Sequence, residues 1–132
     1  MIIEINKHTT LGEISEQFNK YYPFLKIEFF NDSNHWVDSS DSGKLMLKSL
    51  CVGDIVTMRH TVLLEFHFWN KTGMIESVFK NKVGLDAQVF RRNGDSWIQT
   101  TGTDELTLEE QNSIGKFDSE DMLHGTNRTN KL

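Results

Sequence analysis

The sequence predicts an α+β fold: two β-α-β-β pseudo-repeats that form one domain, with an antiparallel sheet and helices packed on it. Three observations favour this fold class. Short segments alternate apolar with polar residues, as strands do. Two apolar stripes at helical spacing follow helix-start signals. The order of these signals then recurs about sixty positions along the chain.

The internal repeat is visible when the sequence is compared with itself at a shift of 61 positions. Eight of 49 aligned residues are identical. Among them, Phe18 falls on Phe79, and Trp36 falls on Trp97. A unit of roughly 60 residues buries too little surface to be stable alone. We therefore expect the two units to share a single hydrophobic core.

The expected boundaries follow from this repeat. The pseudo-repeats cover residues 2–50 and 63–111. Together they are expected to form a single globular domain over residues 1–118. Residues 119–132 are expected to be a disordered tail, because apolar residues are sparse there.

Each unit carries one helix with clear boundaries. Thr10 and Glu13 form a capping-box motif, which predicts a first helix that ends before Pro23. The second helix is expected to begin near Thr72. It should end at Gly84, because glycine adopts the left-handed backbone conformation that often follows a helix.

Strands are predicted on both sides of each helix. The run 62–69 is apolar on both faces, and Asn93-Gly94 predicts a hairpin that leads into a strand at Trp97. The other predicted strands cover residues 2–6, 25–29, 55–59 and 85–89, with a short one that opens at Trp36. A second capping box, at Thr107, predicts a further helix that Gly115 would end.

The composition excludes several classes of protein. With 14 basic and 19 acidic residues the net charge is −5, which disfavours a nucleic-acid partner. The single cysteine, Cys51, excludes an intramolecular disulfide, and we expect it to be a small buried residue. No signal-peptide pattern or long apolar run is present, so we expect a cytoplasmic location and no membrane partner. No cofactor is expected, because the sequence lacks phosphate-binding and dinucleotide motifs.

The surplus of aromatic residues on predicted strands gives the leading functional hypothesis. A central strand covered on both faces would explain it without any function. A sheet face that binds a protein partner, or a second copy of the chain, would explain it equally well. The interface candidates are Phe30, His67, Phe68 and Trp69. On this hypothesis the protein is a non-catalytic interaction or adaptor protein that can self-associate, and no catalytic residue is assigned.

A sheet that binds single-stranded nucleic acid is the first alternative. Basic and aromatic side chains on paired strands bind such ligands by charge and stacking. The candidates for this platform are Phe90, Arg91, Arg92 and Trp97. The matching positions of the first unit carry acidic neighbours, so the platform would be basic on one side only.

A small metal-binding protein or enzyme is the second alternative. Glu65 and His67 are two residues apart on a predicted strand, so their side chains point to one face. Glu4, from the first unit, could add a third ligand there. Carboxylate and imidazole groups suit a divalent transition metal.

Overall fold

The computed structural model describes residues 1–30 and 48–123. It confirms the α+β fold class, because helices are combined with antiparallel sheets. The strands and helices, in chain order, are β1 (Ile2–Ile5), α1 (Leu11–Tyr21), β2 (Leu25–Phe30), β3 (Val62–Glu65), α2 (Thr72–Val78), β4 (Asp86–Asn93), β5 (Ser96–Gln99) and α3 (Leu108–Leu123).

The strands form two antiparallel sheets in the described part of the chain. β1 pairs with β3, and the register places Ile3 opposite Leu64. The second sheet has the strand order β2-β4-β5, with Ile27 of β2 opposite Val89 of β4. Each sheet therefore pairs an early strand with a late one, which ties the two halves of the chain together.

Local chemistry sets both ends of α1. The Glu13 N–H donates a hydrogen bond to Thr10 Oγ1 at 3.1 Å, and the Thr10 N–H donates to Glu13 Oε1 at 3.1 Å. This is the predicted capping box, and it satisfies amides that a helix start leaves without partners. At the other end, the Tyr22 N–H donates to Phe18 O, and Pro23 has no amide to continue the helix.

The second helix, α2, begins at Thr72 as predicted, and the helical turn after it is wider than an α-helical turn. Residues Phe79–Val83 form a π-helical turn, and Gly84 follows with a φ of +89°. Glycine adopts this backbone angle at little cost because it has no β-carbon. Gly84 is therefore the helix stop that the sequence predicts.

The third helix, α3, begins at the second capping box. The Glu110 N–H donates to Thr107 Oγ1, and the Thr107 N–H donates to Glu110 Oε1. The prediction that Gly115 ends this helix is wrong. A β-carbon at Gly115 would lie 2.9 Å from Phe24 Cβ. The glycine is therefore needed for close packing of the helix against its neighbours rather than for a turn.

Two stretches limit what can be compared with the predicted boundaries. α3 runs to Leu123, so residues 119–123 of the predicted disordered tail are helical. Residues 124–132 lie outside the described residues. The predicted turn over 31–34 and the predicted strand at Trp36 also lie outside them.

Two predicted strands differ from the structure. The run predicted over 62–69 is a strand only as far as Glu65, after which the chain turns away from the sheet. Residues 55–59 do not form a strand. They follow a 3₁₀ turn over Val52–Asp54, and the Val56 N–H still donates to Val52 O, so the backbone is coiled where extension was expected.

The hydrophobic core is built from both halves of the chain. Phe18, Phe66 and Phe79 are fully buried, and the Phe79 ring meets the Phe29 ring edge-on with 5.3 Å between centroids. Removing this apolar surface from water is the main stabilising term for such a domain. Within the described ranges, no helix has both the length and the apolar character needed to cross a membrane.

Side chains of α1 bind the backbone of β2. Ser15 Oγ donates to Ile27 O at 2.8 Å, and Asn19 Nδ2 donates to Leu25 O at 2.8 Å. The Ser15 bond is buried. Because a buried carbonyl needs a partner, these two side chains satisfy acceptors that another strand would otherwise bind.

Backbone hydrogen bonds recur at matching positions in the two halves. The Thr9 N–H donates to Asn6 O, and 61 positions later the Asn70 N–H donates to His67 O. In three further pairs of bonds one partner is displaced by 61 positions and the other by 56: Leu11 to Leu50 with Thr72 to Leu106, Gly12 to Lys48 with Gly73 to Asp104, and Gly53 to Lys7 with Glu109 to Phe68. These matches accord with the pseudo-repeat hypothesis, which stays a hypothesis about how the chain is organised.

Candidate interaction surface

One face of the β1–β3 sheet points to solvent, and we name it the outer face. It carries Ile2 and Glu4 from β1 and Leu63 and Glu65 from β3, all of them exposed. The opposite face carries Ile3 and other buried residues of the core. Because side chains alternate between the two faces of a strand, every second residue of β1 and β3 lies on the outer face. Each strand contributes one apolar and one acidic residue to it. The register sets Ile2 opposite Glu65 and Glu4 opposite Leu63.

The chain leaves the outer face through a tight turn at the end of β3. The His67 N–H donates to Asn70 Oδ1 at 2.7 Å, and the Asn70 N–H donates to His67 O at 2.9 Å. An asparagine side chain that binds the backbone in this way competes with strand pairing. The turn therefore ends β3 and directs Phe68 and Trp69 outward, instead of leaving them in the predicted strand.

The three residues His67, Phe68 and Trp69 form a compact cluster, which we name the aromatic end of the outer face. The imidazole of His67 stacks on the Trp69 indole with 4.3 Å between centroids and 3° between planes. The Phe68 ring meets the indole edge-on at 4.9 Å. These contacts fix the rings against one another while both large rings stay more than half exposed, at 51% for Phe68 and 57% for Trp69.

The fourth interface candidate, Phe30, lies elsewhere. It is the last residue of β2, it pairs with Asp86, and it is partly buried. The structure therefore brings together three of the four predicted interface residues. Ile2 and Leu63, which join them on the exposed surface, were missed because single apolar residues in a half-buried strand carry no signal of the side to which they point.

The metal-ligand candidates, Glu65 and His67, contact each other. Glu65 Oε2 lies 2.9 Å from His67 Nε2, although β3 ends at Glu65 and His67 lies in the turn that follows. Glu4 is placed opposite Leu63 rather than opposite either of them. In residues 1–30 and 48–123, no group of three His, Cys, Asp or Glu side chains is placed to hold a metal ion. The pairing of His67 with Glu65 is explained by their contact alone.

The second sheet brings part of the nucleic-acid candidates together. Arg92 pairs with Trp97 across β4 and β5, and its guanidinium carbon lies 5.3 Å from the centre of the indole ring. Lys26 of β2, which is not among the residues predicted for this platform, places its Nζ 5.4 Å from the Phe90 ring and 5.1 Å from the Trp97 ring. A cation over an aromatic face is attracted to the ring. The aromatic rings of this surface are therefore already in contact with cations of the same chain.

Arg91 does not belong to this surface. Neighbouring residues of a strand point to opposite faces, and Arg91 Nη1 donates to Gln111 Oε1 of α3 at 2.8 Å. Glu28 is a second departure from the predicted pattern. It is only 4% exposed, and its Oε1 lies 3.5 Å from Lys26 Nζ and 3.8 Å from Lys48 Nζ. Two lysines thus offset a carboxylate that the strand pattern placed in solvent.

A basic cluster lies at the other end of the outer face from the aromatic end, and we name it the basic end. It comprises Lys7 and His8 after β1 and Arg59 and His60 before β3, all exposed. These four residues share a cleft of about 200 Å³. Among the described residues, neither Lys7 nor Arg59 has an ion-pair partner.

Cys51 is less buried than the sequence analysis predicts. It is partly exposed and lies beside a second cleft that Lys7 and His8 also line. Its backbone N–H donates to Asp54 Oδ2 at 2.9 Å, which starts the 3₁₀ turn. The role visible in the structure is that of a turn residue, and a lone thiol supports no chemistry by itself.

Glu76 on α2 is a partly buried carboxylate with a hydrogen bond to the backbone of β4. Its Oε2 accepts a hydrogen bond from the Val89 N–H at 2.9 Å. Burial raises the pKa of Glu76, the Val89 hydrogen bond opposes that rise, and the nearby Asp104 charge adds to it. The folded protein therefore holds a proton on Glu76 more readily than the unfolded chain does.

This raised pKa predicts how stability depends on pH. The contribution from Glu76 is fully present below the carboxyl's unfolded pKa and is lost as pH rises through the higher folded pKa. In Glu76→Gln the amide oxygen can still accept the Val89 bond, so we expect this loss to disappear. The change should stay below about 1 kcal/mol, because the carboxylate is partly solvated. Urea unfolding at several pH values checks it, and parallel profiles for both proteins would contradict it.

Comparison with known proteins assigns no family to this geometry. The chain matches no protein-family model, no curated protein and no solved structure.

Proposed function

We propose that the protein is a non-catalytic interaction protein that binds a protein partner through the outer face and its aromatic end. The observation that supports this most directly is the exposure of four large apolar side chains on the β1–β3 sheet and the turn that follows it. Leu63 is 65% exposed, Ile2 60%, Trp69 57% and Phe68 51%. Several large apolar side chains exposed in one region of a surface are typical of a protein contact.

Within residues 1–30 and 48–120, the other exposed large apolar residues lie on the helices rather than on one sheet. Tyr21, Met74 and Phe117 are distributed one to each helix. Single exposed apolar residues are ordinary on a protein surface and need no partner. The outer face is different because two exposed apolar residues of one sheet are followed by an ordered aromatic cluster, and aromatic residues contribute much of the binding energy of protein contacts.

The alternatives have less support. A single-stranded nucleic-acid platform on β2-β4-β5 would need free aromatic faces and free cations, whereas Lys26 and Arg92 already lie over Trp97. A metal site at Glu65 and His67 would need further ligands. The expected cytoplasmic location is part of the same proposal, and the single Cys51 suits a reducing compartment.

The proposal is tested by capture experiments with matched exposed aromatics. We expect Trp69→Ser to weaken binding of a captured partner about 30-fold, because truncating an aromatic residue on which a protein contact depends costs about 2 kcal/mol or more. Tyr21→Ser removes an equally exposed ring from α1 and should leave binding unchanged. Immobilised wild-type and variant chains are compared in lysate of the source cells, with thermal unfolding to verify that each variant is folded.

The outcome that contradicts the proposal is equally defined. If the wild-type chain and Trp69→Ser retain the same proteins in the same amounts, and neither associates with itself, the outer face is not a binding surface. Loss of binding in Tyr21→Ser as well would place the contact elsewhere on the molecule.

A further inference from the structure

We infer that the occupant of the outer face is a second copy of this chain, bound in an antiparallel two-fold arrangement that sets the aromatic end of each copy against the basic end of the other. The inference rests on the proposed function and names its partner. It is carried by the opposite chemistry at the two ends of one continuous face.

The two ends occupy equivalent backbone positions. The Thr9 N–H to Asn6 O bond closes the turn that holds Lys7 and His8, and the Asn70 N–H to His67 O bond closes the turn that contains Phe68 and Trp69. A displacement of 61 positions relates the two turns. One turn therefore presents cations where the other presents aromatic rings, on backbones with the same hydrogen bond.

The antiparallel pairing of β1 with β3 places these turns at opposite ends of the sheet. β1 runs toward Lys7, while β3 runs toward Trp69. A two-fold axis that lies in the interface and crosses the strands reverses the strand direction of the second copy. Each turn then faces the other turn of its partner, and the same contact forms twice, as a closed two-fold assembly requires.

The chemistry of that contact is favourable. Lys7 and Arg59 bring cations without ion-pair partners among the described residues. The aromatic end offers the exposed parts of the Phe68 and Trp69 rings, although His67 stacks on one face of Trp69, together with the Glu65 carboxylate, which stays exposed while it contacts His67. Cations bind to aromatic faces and to carboxylates, so each end offers what the other lacks. Charge complementarity of this kind also fixes the orientation of two partners.

The arrangement also accounts for the acidic groups on the outer face. Like charges brought together across an interface are destabilising. With reversed strands the centre of the face brings Ile2 near the partner's Glu4, and Leu63 near the partner's Glu65, so carboxylates are not set over carboxylates. The chessboard of Ile2, Glu4, Leu63 and Glu65 is thus compatible with a second copy of itself.

The first test measures self-association of the full chain by sedimentation over about a hundredfold range of concentration. We expect the wild type to form a dimer. Phe68→Ser/Trp69→Ser changes the aromatic end and Lys7→Glu/Arg59→Glu changes the basic end, and each should weaken the dimer at least tenfold. Tyr21→Ser is the matched control and should dimerise as the wild type does. Circular dichroism verifies that every variant is folded.

The decisive test mixes the two double variants. A homodimer of either variant loses both end contacts, whereas the mixed dimer keeps one intact aromatic end against one intact basic end. The mixture should therefore associate at least tenfold more tightly than either variant alone. Equal association of the mixture and the separate variants would overturn the antiparallel arrangement, and dimers unaffected by both double variants would place self-association elsewhere.

The same experiments separate this inference from the proposed function. A wild-type chain that stays monomeric overturns the second-copy inference. If a monomeric chain nevertheless captures a partner that Trp69→Ser loses, the outer face still binds protein, and only its occupant was wrongly inferred. If neither self-association nor Trp69-dependent capture is found, both are overturned.

Discussion

Replacing Phe79 with alanine should remove about 3–5 kcal/mol of unfolding free energy. The Phe79 ring is fully buried, and it contacts the rings of Phe29 and Phe66 at centroid distances of 5.3 and 5.8 Å. The truncation removes apolar burial, leaves a cavity and deletes favourable ring contacts together. A domain of this size is stabilised by about 5–15 kcal/mol in total, so the variant should lose a large share of its unfolding free energy.

The matched control is Phe68→Ala. It deletes the same ring from a position that is 51% exposed, so the neighbouring groups are not left around a closed cavity. We expect a cost below about 1 kcal/mol in the monomeric chain. Urea denaturation at low protein concentration measures both variants. Similar losses for Phe79→Ala and Phe68→Ala would contradict the assignment of Phe79 to the centre of the core.

Gly115→Ala should destabilise the protein by about 1 kcal/mol, although alanine is the better helix former. The added β-carbon would lie 2.9 Å from Phe24 O and 3.1 Å from Arg91 Cγ. Forcing atoms into a packed contact costs about 1–3 kcal/mol, and the backbone oxygen cannot rotate away. The gain of about 1 kcal/mol in helix propensity offsets only part of this cost if the backbones must separate.

Gly102→Ala provides the comparison for Gly115→Ala. No atom lies within 4 Å of the place its β-carbon would occupy. We expect it to be neutral or to stabilise the protein by about 0.5 kcal/mol, because alanine restricts the unfolded chain. Denaturation midpoints of the two variants check the pair. Equal stability of Gly115→Ala and the wild type would show that α3 can shift away from Phe24.

The features predicted from the sequence are those set by nearby residues. Thr10 with Glu13 and Thr107 with Glu110 form their capping boxes within one helical turn. The hairpin at Asn93-Gly94 forms as well, with Gly94 and Asp95 as its two loop residues. Such motifs act through hydrogen bonds or backbone angles of adjacent residues, so they need no knowledge of the tertiary fold.

The features that the sequence did not predict depend on distant contacts. Arg91 and Arg92 are adjacent, yet only the position of α3 makes Arg91 a ligand of Gln111. A glycine such as Gly115 often ends a helix. Here the close approach of Phe24 requires a residue without a β-carbon inside the helix. The same dependence on distant contacts explains why only some residues of the candidate surface were predicted. Phe68 and Trp69 were predicted because they are aromatic. The exposure of Ile2 and Leu63 depends on which face of the sheet the core covers, and this could not be predicted.

The two bonds from α1 to β2 have a consequence for concentrated solutions of this protein. An extended segment from another molecule can join a sheet only where backbone acceptors remain available. Ser15 and Asn19 already occupy the carbonyls of Ile27 and Leu25. Helix α1 therefore opposes the addition of a strand from another molecule at β2. A chain carrying Ser15→Ala and Asn19→Ala would leave these two carbonyls open to such addition and should form fibrils more readily.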